Sequence, residues 1–308
     1  MKKMAFAFTG QGSQKVGMGK DLYEKSMIAE EIYNLIPKKL REISFNGPEE
    51  ELLRTENLQP IMVAFQIAIA KILKQNNINA DAVFGLSLGE FSALYLAGFI
   101  SEKEAINIIN IRSQEMAKVS KEIDSKMIAV ISSDTNLIKD IVKHESTEDS
   151  KAYLSNINSS KQIVVSGQKD AIDNIRKELK KRKIKAIDLK VSGAFHTPFM
   201  EKVKDMLGKE IEKIEFLDSK IDFYPNKTGK KYKNEDIKKL ILDQVTSPVL
   251  LYPTLKNMVD DGINNFVEIG PGNVITKIIS KEFPDKKIFN IANYKDLVDF
   301  MELMGEER

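Results

Sequence analysis

Short apolar runs along this chain alternate with longer stretches in which apolar residues recur every three or four positions. The short runs predict strands at 4–9, 82–86, 221–224, 266–269 and 287–291, with helices between them. Strand and helix in alternation mark an α/β fold with a mainly parallel sheet, since each helix carries the chain back to the start of the next strand. The stretch 59–75 is apolar nearly all round, which predicts a helix buried beside that sheet.

Residues 127–191 depart from the alternation. In order they read MIAVIS as strand, LIKDIVKH as helix, YLSNIN and QIVVSG as strands, 170–182 as helix and KAIDLKV as strand, with Ser159 and Ser160 as a hairpin turn. This β-α-β-β-α-β order is that of a ferredoxin-like unit. Lying between two stretches of α/β core, it predicts an inserted subdomain at 126–192 and a core at 1–125 and 193–308. Two such bodies form a cleft, where small molecules tend to bind.

Composition narrows the chemistry. The 308 residues carry 47 Lys and Arg against 45 Asp and Glu, a formal charge of +2, without the basic excess of a nucleic-acid binder. There is no cysteine, so thiolate metal sites, disulfides and a cysteine nucleophile are excluded. The apolar run after the N-terminal lysines is too short for a secretory signal, and IMVAFQIAIA at 61–70 is too short to span a bilayer; a cytoplasmic, monomeric protein with no membrane partner is expected.

Candidate chemistry centres on GLSLG at 85–89. Glycines two residues either side of a serine, between a strand and a helix, suit a sharp turn that lifts the Ser87 oxygen as a nucleophile; an ordinary strand-to-helix turn accounts for the five residues equally well. Two histidines exist to serve it. His144 closes a helix beside a polar loop, where a cation at the helix C-terminus suffices. His196, in VSGAFHTPFM after the insert's last strand, is the better general base. No carboxylate between Ser87 and His196 presents itself as a third member, and a carbonyl could orient the imidazole instead.

Arg112 enters by helix arithmetic. A helix from Ser87 to about Ala97, a stop at Gly98 and a capping-box start at Ser101 to Glu104 make a hairpin. About 15 Å out and about 16 Å back returns Arg112 to the level of Ser87. A guanidinium there can grip an acyl group that ends in a carboxylate, though a surface arginine fits the helix as well. FTGQGSQ at 8–14 fails both phosphate-loop spacings, with Lys15 and Met18 where glycine and lysine are required. Its remaining use is an oxyanion-hole N–H from Gln11 beside that of Leu88.

FTGQGSQ, LQP at 58–60, GLSLGE at 85–90, Arg112 in NIRSQEM, NINSSKQIVVSG at 156–167, VSGAFHTPFM at 191–200, DQVTSPV at 243–249 and EIGPGN at 268–273 together resemble the malonyl-CoA:acyl carrier protein transacylase family, in the family's order over nearly the whole chain. The resemblance implies a hydrolase-like core with the inserted subdomain, and malonyl transfer in fatty-acid synthesis without a cofactor or metal. It implies Ser87 as nucleophile, His196 as base, Arg112 on the malonyl carboxylate, and the N–H groups of Gln11 and Leu88 as oxyanion hole. The backbone carbonyl of Gln244 would orient His196, Gln59 and Asn158 would line the cleft, and Phe195 belongs to the malonyl-selective form of the motif. Leu86 stands where the family usually has histidine, and Thr9 where proline is common. Malonyl-CoA and an acidic carrier protein are the implied partners, with the basic run 176–185 a docking candidate. The rivals are a thioesterase using water as acceptor and a non-catalytic module that keeps the fold.

Overall fold

The computed structural model describes residues 3–189, 191 and 193–306. A five-stranded parallel sheet has β1 (Met4–Phe8) at its centre, β2 (Ala82–Gly85) on one side and, from later in the chain, a second neighbour. A separate four-stranded sheet is built from β3 (Ser125–Ile131), β4 (Ala152–Ser159), β5 (Gln162–Gln168) and β6 (Lys185–Asp188). The parallel sheet is completed by β7 (Asp222–Phe223), β8 (Asn265–Ile269) and β9 (Lys287–Ile291), in the order β7-β2-β1-β8-β9.

β1 is apolar at every position because both faces are covered. Met4, Phe6 and Phe8 pack with the helix Thr55–Gln75 and its neighbours, while Ala5 and Ala7 face the opposite layer, where Leu251, Leu255 and Ile279 sit. Residues 57–70 are buried without a break, as expected of a helix apolar all round. Pro60 lies inside that helix and has no N–H for the Glu56 carbonyl, which instead accepts a bond from the Ser113 hydroxyl at 3.3 Å.

The second sheet is antiparallel throughout, in the order β4-β5-β3-β6, the strand order of a ferredoxin-like unit. Ile128, Val130, Ile163 and Val165 point to the helices Thr135–Glu145 and Lys169–Lys181, whereas Met127 and Val164, one residue out of phase, point to the main core. A bridge between Asn156 and Val249 ties this sheet to the core, with Ile157 N–H donating to the Val249 carbonyl at 2.9 Å.

Three local readings need correction. The hairpin turn is Ser160–Lys161 rather than Ser159–Ser160, because Ser159 still pairs with Gln162 beyond an irregularity in β4. β7 spans only two residues: it is an edge strand, and Pro225 follows immediately after Tyr224. β6 ends at Asp188, with Leu189 adding one bond to Met127, while Lys190 of the expected strand lies outside the described residues.

Candidate active site

Phe8 is in register with Gly85 on one side and Ile269 on the other, so the loops after β1, β2 and β8 emerge side by side at the carboxyl end of the sheet. Crevices at that end are where ligands bind in parallel α/β sheets. The loop after β2 carries Ser87 at φ 54°, in the left-handed region that non-glycine residues avoid. Both flanking glycines are required by space. A Cβ on Gly85 would stand 2.0 Å from the Gly89 carbonyl, and one on Gly89 would stand 2.6 Å from the Phe8 carbonyl oxygen. Strain of about 1–3 kcal/mol at such a residue persists only when its surroundings fix it. Here Ser87 N–H donates to Asn226 Oδ1 at 2.8 Å, Asn226 Nδ2 donates to the Gly85 carbonyl at 2.5 Å, and Gln244 Nε2 donates to the Ser87 carbonyl at 2.9 Å.

The helix hairpin forms as its spacing predicts. Gly98 closes the helix Gly89–Ala97 at φ 92°, and Ser101 and Glu104 complete a reciprocal capping box on Glu102–Glu122. Arg112 returns to the serine, with Nη2 3.2 Å from Ser87 Oγ. It is 1% exposed, its Nη1 donating to Gln59 Oε1 at 2.5 Å and Nη2 to Gln244 Oε1 at 3.1 Å, and its guanidinium carbon lies 5.6 Å from the centre of the Phe91 ring. Burial pulls its pKa down to about 10, opposed by the field of Glu90.

His196 also has a left-handed backbone, at φ 59°. Its Nε2 lies 2.7 Å from Ser87 Oγ and its Nδ1 3.0 Å from the Gln244 carbonyl oxygen. A carbonyl only accepts, so Nδ1 carries the proton and Nε2 is left bare to receive one. Burial first, then the Arg112 charge, push the imidazole pKa down to about 3, against the pull of the Gln244 carbonyl. The ring is therefore neutral at physiological pH. His144 stands apart, exposed and bonded to Glu145.

These groups open on one cavity of about 220 Å³. Gln11, Leu88, Gln59, Phe195 and Asn158 line it, and the insert adds Met127 and Asn156 as a second wall. Asn158 Nδ2 is engaged by Gln162 at 3.2 Å, while its buried Oδ1 has no partner. Leu86 lines the same cavity and packs on the alanine face of the sheet. Thr9 and the Gln66 side chain form a buried pair, Nε2 donating to the Thr9 carbonyl at 2.7 Å. The EIGPGN motif has a local function: buried Glu268 accepts from the Ile275 and Thr276 N–H groups at 2.9 and 2.8 Å, capping the helix Val274–Glu282. In the basic run, Arg176 pairs with Asp188, and Lys181 and Arg182 with Glu178. Among the described residues no group of three or more His, Cys, Asp or Glu is placed to hold a metal, and no helix is long and apolar enough to cross a membrane.

Sequence reasoning missed Asn226 and Glu90. Asn226 follows a two-residue edge strand, with no pattern to mark it. Glu90 carries a signal: it is the lone charge in GEFSALYLA, a helix otherwise apolar or small. Its carboxyl Oε2 accepts from Gln244 Nε2 at 2.8 Å and from Asn226 N–H at 3.3 Å.

Together these groups can carry out acyl transfer: a hydroxyl with a neutral base on one side and a cation able to take a carboxylate on the other. The malonyl CoA-acyl carrier protein transacylase of Staphylococcus aureus (strain MSSA476) is 35% identical over 303 residues, 96% of this chain and 98% of its own length. The crystal structure of malonyl CoA-acyl carrier protein transacylase from Clostridium perfringens Atcc 13124 matches with a TM-score of 0.93 at 28% identity, over 99% of this chain and 98% of that one. A malonyl-transacylase in complex with its type II PKS acyl-carrier protein matches at a TM-score of 0.91 and 28% identity, over 98% and 99% of the two chains. The acyl transferase domain matches residues 5–301, and this chain belongs to that family.

Proposed function

We propose that this protein transfers the malonyl group of malonyl-CoA to the phosphopantetheine thiol of acyl carrier protein for fatty-acid biosynthesis, acting in the cytoplasm as a monomer and without a cofactor. The observation that carries this reading is the convergence on Ser87 Oγ of His196 Nε2 at 2.7 Å and Arg112 Nη2 at 3.2 Å.

His196 Nε2 takes the Ser87 proton as the oxygen attacks the thioester carbonyl. The N–H groups of Leu88 and Gln11, at the mouth of the turn, receive the oxyanion; one such donor is worth about 10² to 10³ in rate. The imidazolium then protonates the departing coenzyme A sulfur, leaving a malonyl ester on Ser87. The carrier thiol attacks this ester by the same route in reverse, giving ping-pong kinetics. Gln244 holds the imidazole by its backbone carbonyl, which stabilises the imidazolium less than a carboxylate would. Arg112 exchanges its bond to Ser87 for a bidentate grip on the malonyl carboxylate, with Gln59 holding the other side of the guanidinium, and Asn158 and Phe195 close the walls around the acyl chain. The unpaired cations of 176–185 are offered as the acidic carrier's docking face.

Intact-mass measurement after mixing with malonyl-CoA tests this reading. The expected result is a malonyl adduct in the native chain, none in Ser87→Ala, little with acetyl-CoA, and transfer of the adduct to holo carrier protein. Release of free malonate in place of malonyl carrier protein would identify a thioesterase, and the absence of any adduct a binding module.

A further inference from the structure

Glu90 is a buried carboxyl that the acyl-transfer steps do not use; unlike Glu268, it has one oxygen left bare. It lies in the first turn of the helix Gly89–Ala97, 1% exposed. Its two oxygens are in unlike surroundings: Oε2 accepts from the Gln244 amide and the Asn226 N–H, both neutral donors, while Oε1 has no partner. It does not pair directly with Arg112. The Gln244 side chain lies between them, Nε2 on Glu90 and Oε1 on the guanidinium. A carboxylate buried with one oxygen bare and no cation in contact is costly in its charged form.

We propose that Glu90 is a positioning residue that works as an uncharged carboxylic acid: it fixes the Gln244 amide against Arg112, yet offers that guanidinium no competing anion, so the pocket's positive charge is kept for the carboxylate of the incoming acyl group. This rests on the malonyl reading above. All of the partners Arg112 hydrogen-bonds, namely Gln59, Gln244 and Ser87, are neutral. An ionised Glu90 would place a negative charge one amide away from the cation and weaken its hold on the substrate.

The surroundings of Glu90 support the neutral form. The helix Glu102–Glu122 presents Arg112, the helix Ile237–Thr246 presents Gln244, and the loop after β7 presents Asn226. Among the described residues Arg112 is the charged group whose field reaches Glu90. His196, bonded to Ser87 Oγ and the Gln244 carbonyl, is neutral; Lys227 and Asp243, on the adjoining loop and helix, are held by Ser247 and Lys204. Burial raises the Glu90 pKa to about 8, against the opposing pull of Gln244, Asn226 and Arg112.

The test is KM for malonyl-CoA against pH in the native chain, Glu90→Gln and Glu90→Ala. Between about pH 7 and about pH 9 the native KM is expected to rise about fivefold as Glu90 ionises, while KM for acetyl-CoA, which has no carboxylate, stays flat. Glu90→Gln, an isostere that can still accept from Gln244, is expected to abolish the rise and to lose less kcat/KM at pH 7 than Glu90→Ala does. A native KM for malonyl-CoA that is flat over this range overturns the proposal even if neither variant folds. So does a Glu90→Gln variant that keeps the rise or is as damaged as Glu90→Ala. Failure of the native chain to form any malonyl adduct would instead remove the malonyl reading on which the proposal depends.

Discussion

In β3 and β5 of the antiparallel sheet, side chains alternate between the helices and the core, and the buried hydroxyls of Ser155 and Ser166 bond to each other at 2.6 Å. At the carboxyl end of the parallel sheet, Ser87 on the loop after β2 and His196 on the segment returning from the insert are both left-handed, beside a buried cluster of Glu90, Gln244, Asn226 and Arg112 in which Glu90 Oε1 and Arg112 Nε have no partner among the described residues. Within the insert, the buried polar atom left bare among the described residues is Asn158 Oδ1, on a residue that lines the cavity. Strain and unmet polarity thus meet in one place where the two sheets face the substrate space, although Asn77, Lys183 and Asn234 are also left-handed and Asn290 Nδ2 is also buried without a hydrogen bond among the described residues. At Ser87 and His196 that local conformational cost coincides with the reacting groups, as expected when strain is retained for function.

The largest expected effect is on the strained side. Ser87→Ala should reduce transfer by at least about 10³-fold and eliminate the mass adduct, with a melting temperature nearly unchanged because alanine keeps the Cβ that strains this turn. Arg112→Ala comes next. Removing a buried charge that binds an anionic group costs about 2–5 kcal/mol, so kcat/KM for malonyl-CoA should fall between about 30-fold and a few thousand-fold, with acetyl-CoA affected far less. Steady-state kinetics with both thioesters checks this; equal losses would remove Arg112 from recognition of the carboxylate.

The folding energetics sharpen the contrast. His196 is held neutral in the folded protein with its pKa near 3, whereas its ordinary value is 6.5. The unfolded chain therefore binds a proton that the native state refuses, and stability should fall as pH drops below about 6.5 toward about 3, by a few kcal/mol in all. Thermal melts should show a shallower acid loss in His196→Gln than in the native chain. Catalysis should show no matching acid limb between about pH 5 and about pH 7, since the free base is already present.

The smallest effect on chemistry is predicted for the insert. Val165→Ala opens a cavity among Ile128, Ile172 and their neighbours and should cost about 2–3 kcal/mol of stability, while acylation of Ser87 changes less than about twofold. Gly85→Ala is the matched probe in the core. It should lower both melting temperature and acylation, because its Cβ would overlap the Gly89 backbone that shapes the turn. If Val165→Ala disturbed acylation as strongly as Gly85→Ala, the separation drawn between the two sheets would be lost.

How much was legible follows from the range of each interaction. The apolar periodicities fixed both sheets closely, because a strand's period of two and a helix's of 3.6 are properties of the local backbone. The need for glycine at 85 and 89 and the return of Arg112 to Ser87 are local in the same way: one follows from Cβ sterics within a turn, the other from helix rise and caps. The Ser159–Ser160 turn failed by one residue, since an irregularity in strand pairing leaves no mark on composition.

The polar cluster below the nucleophile lay beyond local reasoning. Gln244 came only through the resemblance, and then for its carbonyl; that its side chain joins Glu90, Ser87 and Arg112 depends on contacts 132 to 157 residues apart in the chain. Glu90 falls among the carboxylates between Ser87 and His196 that no pattern singled out, and nothing in the sequence marked Asn226. The sequence by itself determined which segments are strands and helices and which residues could bear chemistry. Tertiary structure decided which of them are dehydrated together: burial neutralises His196 and favours the acid form of Glu90, while Arg112, its pKa lowered by burial only to about 10, stays charged, since the cost of charge depends on surroundings that no short stretch of chain supplies.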